Sequence, residues 1–182
     1  TTKNLNLADH IKDLIEIGVK HLKVEGRMRG TYYIATVISC YRNLIDAYYN
    51  NNWTKSNLEK NLKLLSRVAN RESTSQYFMK KATYKDQYYL DRMEVSNQDF
   101  LGLILDYDEK TSYATIEQRN YFKKGDKVNI FGPEKCDFDF VITDILNENN
   151  ESIEIARHPK EILKIKVPRS VCKDSMMRIW IN

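Results

Sequence analysis

Cysteine is sparse in this chain of 182 residues: Cys40, Cys136 and Cys172 stand far apart, and none belongs to a C-x-x-C pair. A disulfide framework needs a dense set of cysteines and a zinc site needs closely spaced ligands, so neither is expected. Histidine is equally scattered, at His10, His21 and His158, and offers no local metal cluster. No apolar run reaches the roughly 20 residues that a membrane-spanning helix requires. The opening "TTKNLNLADH" lacks the apolar centre of a secretory signal. Internal repeats and low-complexity linkers are also missing. There is no initiator methionine and the chain opens in mid-pattern, as expected of a segment of something longer. These absences leave a cytoplasmic protein with incidental thiols, engaging neither membrane nor DNA.

The residues present are 42% hydrophobic and 30% charged, the balance of a soluble globular protein with one or two domains. The net charge of +4 is modest, but it is unevenly spread. Residues 1–70 hold 11 Lys/Arg against 6 Asp/Glu, and residues 71–182 hold 18 against 19. The basic excess of the first part can draw phosphates through long-range, salt-sensitive attraction.

Periodicity divides the chain further. Leu7, Ile11, Leu14 and Ile15 fall at helical spacing and Gly18 can end that helix. Val19 to Glu25 is short and alternating, which predicts a strand. Ile34, Val37, Ile38, Tyr41, Leu44, Ile45 and Tyr48 form one apolar face of a long helix. A second helix is expected to open at a capping box, Ser56 to Glu59, and to continue through Leu58, Leu62, Leu65 and Val68. "NRESTSQYFMKKATYKDQYY" is polar and aromatic without a clear period and reads as a connection. Beyond it come short β-type runs: "FLGLILDY", "SYATIEQ", "DKVNIF", "DFVITDIL", "SIEIARH" and "ILKIKVP". Turn signals such as Gly125-Asp126, Gly132-Pro133 and Asn149-Asn150 separate them. The expected class is α+β. Residues 1–70 would be the end of a TIM-like (β/α) barrel in the order helix, strand, helix, helix. Residues 71–89 would connect it to a small antiparallel β-barrel at 90–182.

"HLKVEGRMRG", His21 to Gly30, carries the most chemistry. Strand side chains alternate, so Leu22 and Val24 share one face and His21, Lys23 and Glu25 the other. In a (β/α) barrel the active site lies at the C-terminal ends of the strands, which would put Lys23, Glu25 and Arg27 near the mouth. Lysine brings a point charge and arginine a planar fork for carboxylate or phosphate. Glu25 could hold either base in place or act on a proton. An ion-pair network closing the barrel would use the same residues.

The stretch "DLIEIGVKHLKVEGRMRGTYYIATVISCYRNLIDAYY" resembles the peptidase U32 family, the collagenase-like proteases. Gly18, Val19, Leu22 to Arg29, Tyr32, Tyr33, Tyr41, Arg42 and Asp46 stand at its pattern. "LLSRVANREST" and "GDKVNIF" extend the resemblance over nearly the whole chain. It implies the C-terminal portion of a (β/α) barrel protein with an appended β-barrel. It also implies two activities. One is peptidase action. The other is prephenate-dependent 5-hydroxylation of the wobble uridine of tRNA, with an iron–sulfur cluster held by cysteines upstream of this segment and no cofactor held by this chain itself. On that reading Lys23, Arg27, Arg29 and Arg71 bind anions, Glu25 is the catalytic candidate, and tRNA and prephenate are the partners. A collagenase-like peptidase is the alternative, although no nucleophile with its base is readable around Ser39 or Cys40. A non-catalytic β-barrel binding module is a third. The chain departs from the family pattern in three places: Lys3-Asn4-Leu5-Asn6 replaces Lys-Asp-Leu-Cys, Gly30 replaces serine, and Arg71-Glu72 and Ser75-Gln76 before Tyr77-Phe78 replace an Arg-Gly and a later glycine before an aromatic. Glycine permits backbone angles that the larger residues resist, so the last pair bears on the geometry of the Arg71 loop.

Overall fold

The structure is a computed structural model and describes residues 3–69, 72–87, 89, 99–134 and 136–180. The chain forms two compact units, residues 1–97 and residues 98–180.

The first unit is helical around a small parallel pair. Strands β1 (Asn4–Leu5) and β2 (Ser73–Thr74) pair in parallel, Asn4 with Ser73 and Leu5 with Thr74. A one-turn 3-10 helix at Ala8–His10 leads into α1 (Ile11–Glu16). Gly18, at φ +88°, ends it as expected: its N–H bonds to the Ile15 carbonyl and the Val19 N–H reaches back to Leu14. This left-handed exit is cheap only for glycine. Helix α2 (Thr31–Tyr49) packs on α1, and α3 (Lys55–Val68) packs on α2 and on the 3-10 turn. Their shared core holds Ile11, Leu14, Val37, Cys40, Leu44, Leu64 and Leu65.

Three expectations for this unit need correction. Val19 to Glu25 forms no strand: it is a segment without regular structure and, among the described residues, without a ladder partner, and only Val24 packs against the core. A strand without neighbours has no ladder to stabilise it. Helix α3 is capped by Thr54, whose hydroxyl accepts the Asn57 N–H at 3.1 Å, and not by Ser56. The packed stripe of α2 is also narrower than its apolar face, because Val37, Cys40, Leu44 and Ala47 are buried while Ile34 and Ile38 remain exposed.

The second unit is an antiparallel sheet of seven strands. They are β3 (Phe100–Asp108), β4 (Tyr113–Gln118), β6 (Lys127–Phe131), β7 (Asp137–Val141), β8 (Ile145–Leu146), β10 (Ile162–Lys166) and β11 (Met176–Ile179). A separate short pair joins β5 (Phe122–Lys123) to β9 (Ile155–Ala156). The strand order is β7-β6-β11-β3-β4-β10-β8, so β7 and β8 are the two ends. Seven strands laid flat would put those ends about 29 Å apart. Only Ile142 to Asp144 joins them, and that link spans about 14 Å at most. The sheet therefore curls, and Ile104, Ile116, Phe122, Ile130, Ile145, Leu163 and Met177 fill the space it encloses. The ladder stays open at β7 and β8, so closure comes from the link and its side chains rather than from a continuous ring of hydrogen bonds. The strand β11 has no counterpart among the predicted runs.

Candidate functional site

The cleft of the first unit is built around the charged segment. Its volume is about 520 Å³, within the usual range for small-molecule sites. Lys23, Glu25, Arg27 and Arg29 line one side, Asn4, Asn6 and Ser73 another, and Tyr33, Val37 and Tyr41 of α2 a third. Four of the five candidate residues thus share one cavity. The fifth, Arg71, lies outside the described residues.

Local geometry explains how the arginines are presented. The Arg29 N–H bonds to the Gly26 carbonyl at 3.1 Å and closes a turn with Arg27 and Met28 at its corners. Met28 sits at φ +59° and is fully exposed. A left-handed backbone costs a non-glycine residue roughly 1–2 kcal/mol. The turn therefore carries some strain while setting Arg27 and Arg29 on either side of Met28. The guanidinium of Arg29 lies 5.0 Å from the Tyr33 ring centroid, a cation–π distance. Lys23 Nζ pairs with Glu25 Oε1 at 3.2 Å, and both side chains are exposed. Among the described residues no hydrogen bond or ion pair holds the Arg27 guanidinium. Three cations against one carboxylate give the cleft a positive balance, which suits a ligand bearing phosphate or carboxylate.

The other wall is polar and tightly bonded. Tyr41 donates its hydroxyl hydrogen to Asn6 Oδ1 at 3.0 Å and accepts the Leu7 N–H at 3.1 Å. Asn6 Oδ1 also accepts the Ala8 N–H at 3.0 Å. Burial is the first cause that pushes the Tyr41 phenol above its ordinary value, so it stays protonated and keeps donating. Tyr41 stood at a family position and was assigned to packing. Asn4 and Asn6 stood out only as departures from the family pattern and Ser73 carried no signal, since the β1–β2 pairing is what brings them together.

The altered loop after α3 is held by its new side chains. Gln76 adopts φ +44°, the left-handed backbone for which glycine is suited, and its Nε2 donates to the Lys3 carbonyl at 2.7 Å. The Glu72 carboxylate forms an ion pair with the Lys3 ammonium. Both replacements thus tie the loop to the residue before β1.

The described residues do not fit an iron–sulfur cluster. They contain no group of three His, Cys, Asp or Glu able to hold a metal. Cys40 is buried in the helical core, and Asn6 occupies the position of a family cysteine with its oxygen already engaged. Cys172 in the second unit meets Glu134 at 3.5 Å, and burial first, then that carboxylate, push its thiol up. The Cys172 environment does not favour the thiolate that a cluster requires.

Curled β-unit and helical cleft both match one family. Residues 1–88 match the model described as peptidase family U32, and residues 96–178 match that of the peptidase family U32 C-terminal domain. The chain belongs to peptidase family U32. It is similar to tRNA hydroxylation protein P1 of Bacillus subtilis, 39% identical over 97% of this chain and 42% of that protein. Tying it also to tRNA hydroxylation protein P of Haemophilus influenzae is 27% identity over 93% of this chain and 36% of the relative. A collagenase of Porphyromonas gingivalis is 26% identical over 72% of this chain and 37% of its own length. The chain therefore spans less than half the length of these curated relatives. The crystal structure of the C-terminal domain of a U32 peptidase from Geobacillus thermoleovorans is 44% identical, with a TM-score of 0.45, covering 46% of this chain and 94% of that one. No helix among the described residues is long and apolar enough to cross a membrane.

Proposed function

We propose that this chain is the C-terminal part of a protein that acts in tRNA modification, namely prephenate-dependent 5-hydroxylation of the wobble uridine in the cytoplasm. The single observation that carries this reading is the cleft in which Lys23, Arg27 and Arg29 converge with one carboxylate, Glu25. Lys23 and Arg27 would neutralise a phosphate of the RNA or a carboxylate of prephenate, while Arg29 is steadied by Tyr33. Glu25 would position Lys23 and stand ready to take a proton near the bound anion. The β-unit would help to hold the RNA.

The same reading accounts for the unpaired segment at Val19 to Gly26. It would be a strand of a (β/α) barrel whose ladder partners belong to the part of the relatives that this chain does not span. The exposed Ile17, Val19, Leu22, Ile34 and Ile38 support this, since a complete barrel would cover such apolar side chains. Peptidase action has less support. Cys40 is buried, and His10 pairs with Asp13 at 3.2 Å rather than with a nucleophile.

Binding tests the anion role. Lys23→Ala and Arg27→Ala in the intact protein are expected to weaken binding of unmodified tRNA and to flatten its salt dependence by about one per lost phosphate contact. Unchanged affinity at every salt concentration would contradict it.

A further inference from the structure

Residues 77–87 and 89 present an uncommon surface. Tyr77 is 71% exposed, Met79 64%, Tyr84 70% and Tyr89 75%. Lys80, Lys81 and Lys85 are exposed among them. The one acidic residue between Tyr77 and Tyr89 is Asp86, and it is turned inward. Its Oδ2 accepts the Thr83 N–H at 2.8 Å and the Thr83 hydroxyl at 3.2 Å, closing a capping box on a one-turn 3-10 helix, Tyr84–Asp86.

The segment is pinned at two points. Phe78 packs against the helical core, its ring centroid 4.8 Å from that of His10. The Asp86 carbonyl accepts the Lys3 N–H at 3.2 Å. Between and beyond these anchors the tyrosines and lysines are left facing solvent. Anchoring matters, because a ligand then meets side chains whose backbone is already ordered.

We propose that this ledge holds an unpaired strand of RNA. Every base has a π-face that can stack on tyrosine whatever its sequence, and the lysines neutralise the phosphates between stacked bases. Charge complementarity favours RNA over a protein partner, because lysine is depleted from protein–protein contact surfaces. The proposal rests on the tRNA reading and deepens it: the cleft takes an anion, and the ledge carries the neighbouring single-stranded loop.

The test uses the intact protein with a labelled, unmodified tRNA transcript and a short unstructured RNA oligonucleotide, followed by fluorescence anisotropy across a salt series. Tyr77→Ala with Tyr84→Ala is expected to weaken oligonucleotide binding about tenfold per stacked base. Lys80→Glu with Lys81→Glu is expected to weaken it and to reduce the salt slope by about 0.7 per lost contact. All four side chains are exposed, so the melting temperature should hold. Unchanged RNA affinity in both variants overturns the ledge. So does a wild-type protein that binds neither RNA, or a tyrosine variant that melts earlier yet binds as before, which would mark a protein-packing face. If Lys23→Ala and Arg27→Ala weaken binding and the ledge variants do not, the ledge falls and the cleft stands. The reverse pattern removes the cleft and keeps the ledge.

Discussion

Tyr41 joins α2 to the residues just after the first strand through one hydroxyl, which bonds to both Asn6 and the Leu7 N–H. Tyr41→Phe keeps the ring, strands the Leu7 N–H and leaves Asn6 Oδ1 only the Ala8 N–H, so a loss of about 1–3 kcal/mol in denaturant unfolding is expected. Gln76 sets two effects against each other. Its left-handed backbone costs roughly 1–2 kcal/mol, and its bond to the Lys3 carbonyl returns about 1 kcal/mol. Gln76→Gly removes both and should be close to neutral, whereas Gln76→Ala keeps the strain and loses the bond. The same unfolding assay should rank alanine about 1 kcal/mol below glycine. The resemblance marked Asn6, Glu72 and Gln76 as departures, but could not show what they do. Tyr41 and Asn6 are 35 residues apart, and Gln76 and Lys3 are 73 apart. Such bonds leave no trace in local periodicity.

Elements were legible where packing follows a period. The Gly18 stop, the bulk of α2 and the runs containing β3, β4, β6 and β10 could be read from spacing and turn residues. The strand β11 could not, because "MMRI" is only four residues long and buries its arginine beside its methionines instead of alternating. Arg178 is only 2% exposed, with Nε donating to Asn129 Oδ1 at 2.8 Å and its guanidinium 4.0 Å from the Phe131 ring centroid. Those neighbours come from β6, and sequence spacing does not announce them. The link between β7 and β8 is a second such case. Asp144 accepts the Tyr113 hydroxyl at 2.6 Å and the Ser152 hydroxyl at 2.8 Å, and meets Lys124 at 3.3 Å. The Tyr113 bond is the largest cause that lowers its carboxyl from 3.8 to about 2. The folded value lies below the unfolded one, so the carboxylate stabilises the protein above pH 3.8 and that contribution disappears as the pH falls toward 2. Unfolding curves across that window should show the loss in the wild type, and Asp144→Asn should be weaker at neutral pH and flatter in acid. An equal acid slope in the variant would assign the loss to other groups.

For the whole molecule, the charged stretch "HLKVEGRMRG" reads as a candidate site edge from its sequence, and Lys23, Glu25, Arg27 and Arg29 line one cleft. Its strand character was misjudged in this chain, since alternation describes which face a side chain would take but not whether a ladder partner is present. The central claim is that this cleft serves wobble-uridine hydroxylation. Its most direct test replaces the genomic copy with Lys23→Ala, Arg27→Ala protein and quantifies 5-hydroxyuridine-derived nucleosides at the wobble position by mass spectrometry, with protein levels checked alongside. Both side chains are exposed, so the protein should accumulate normally. The account predicts a fall of about tenfold or more, the scale of losing a charge-assisted contact. Wild-type modification at wild-type protein levels would contradict it.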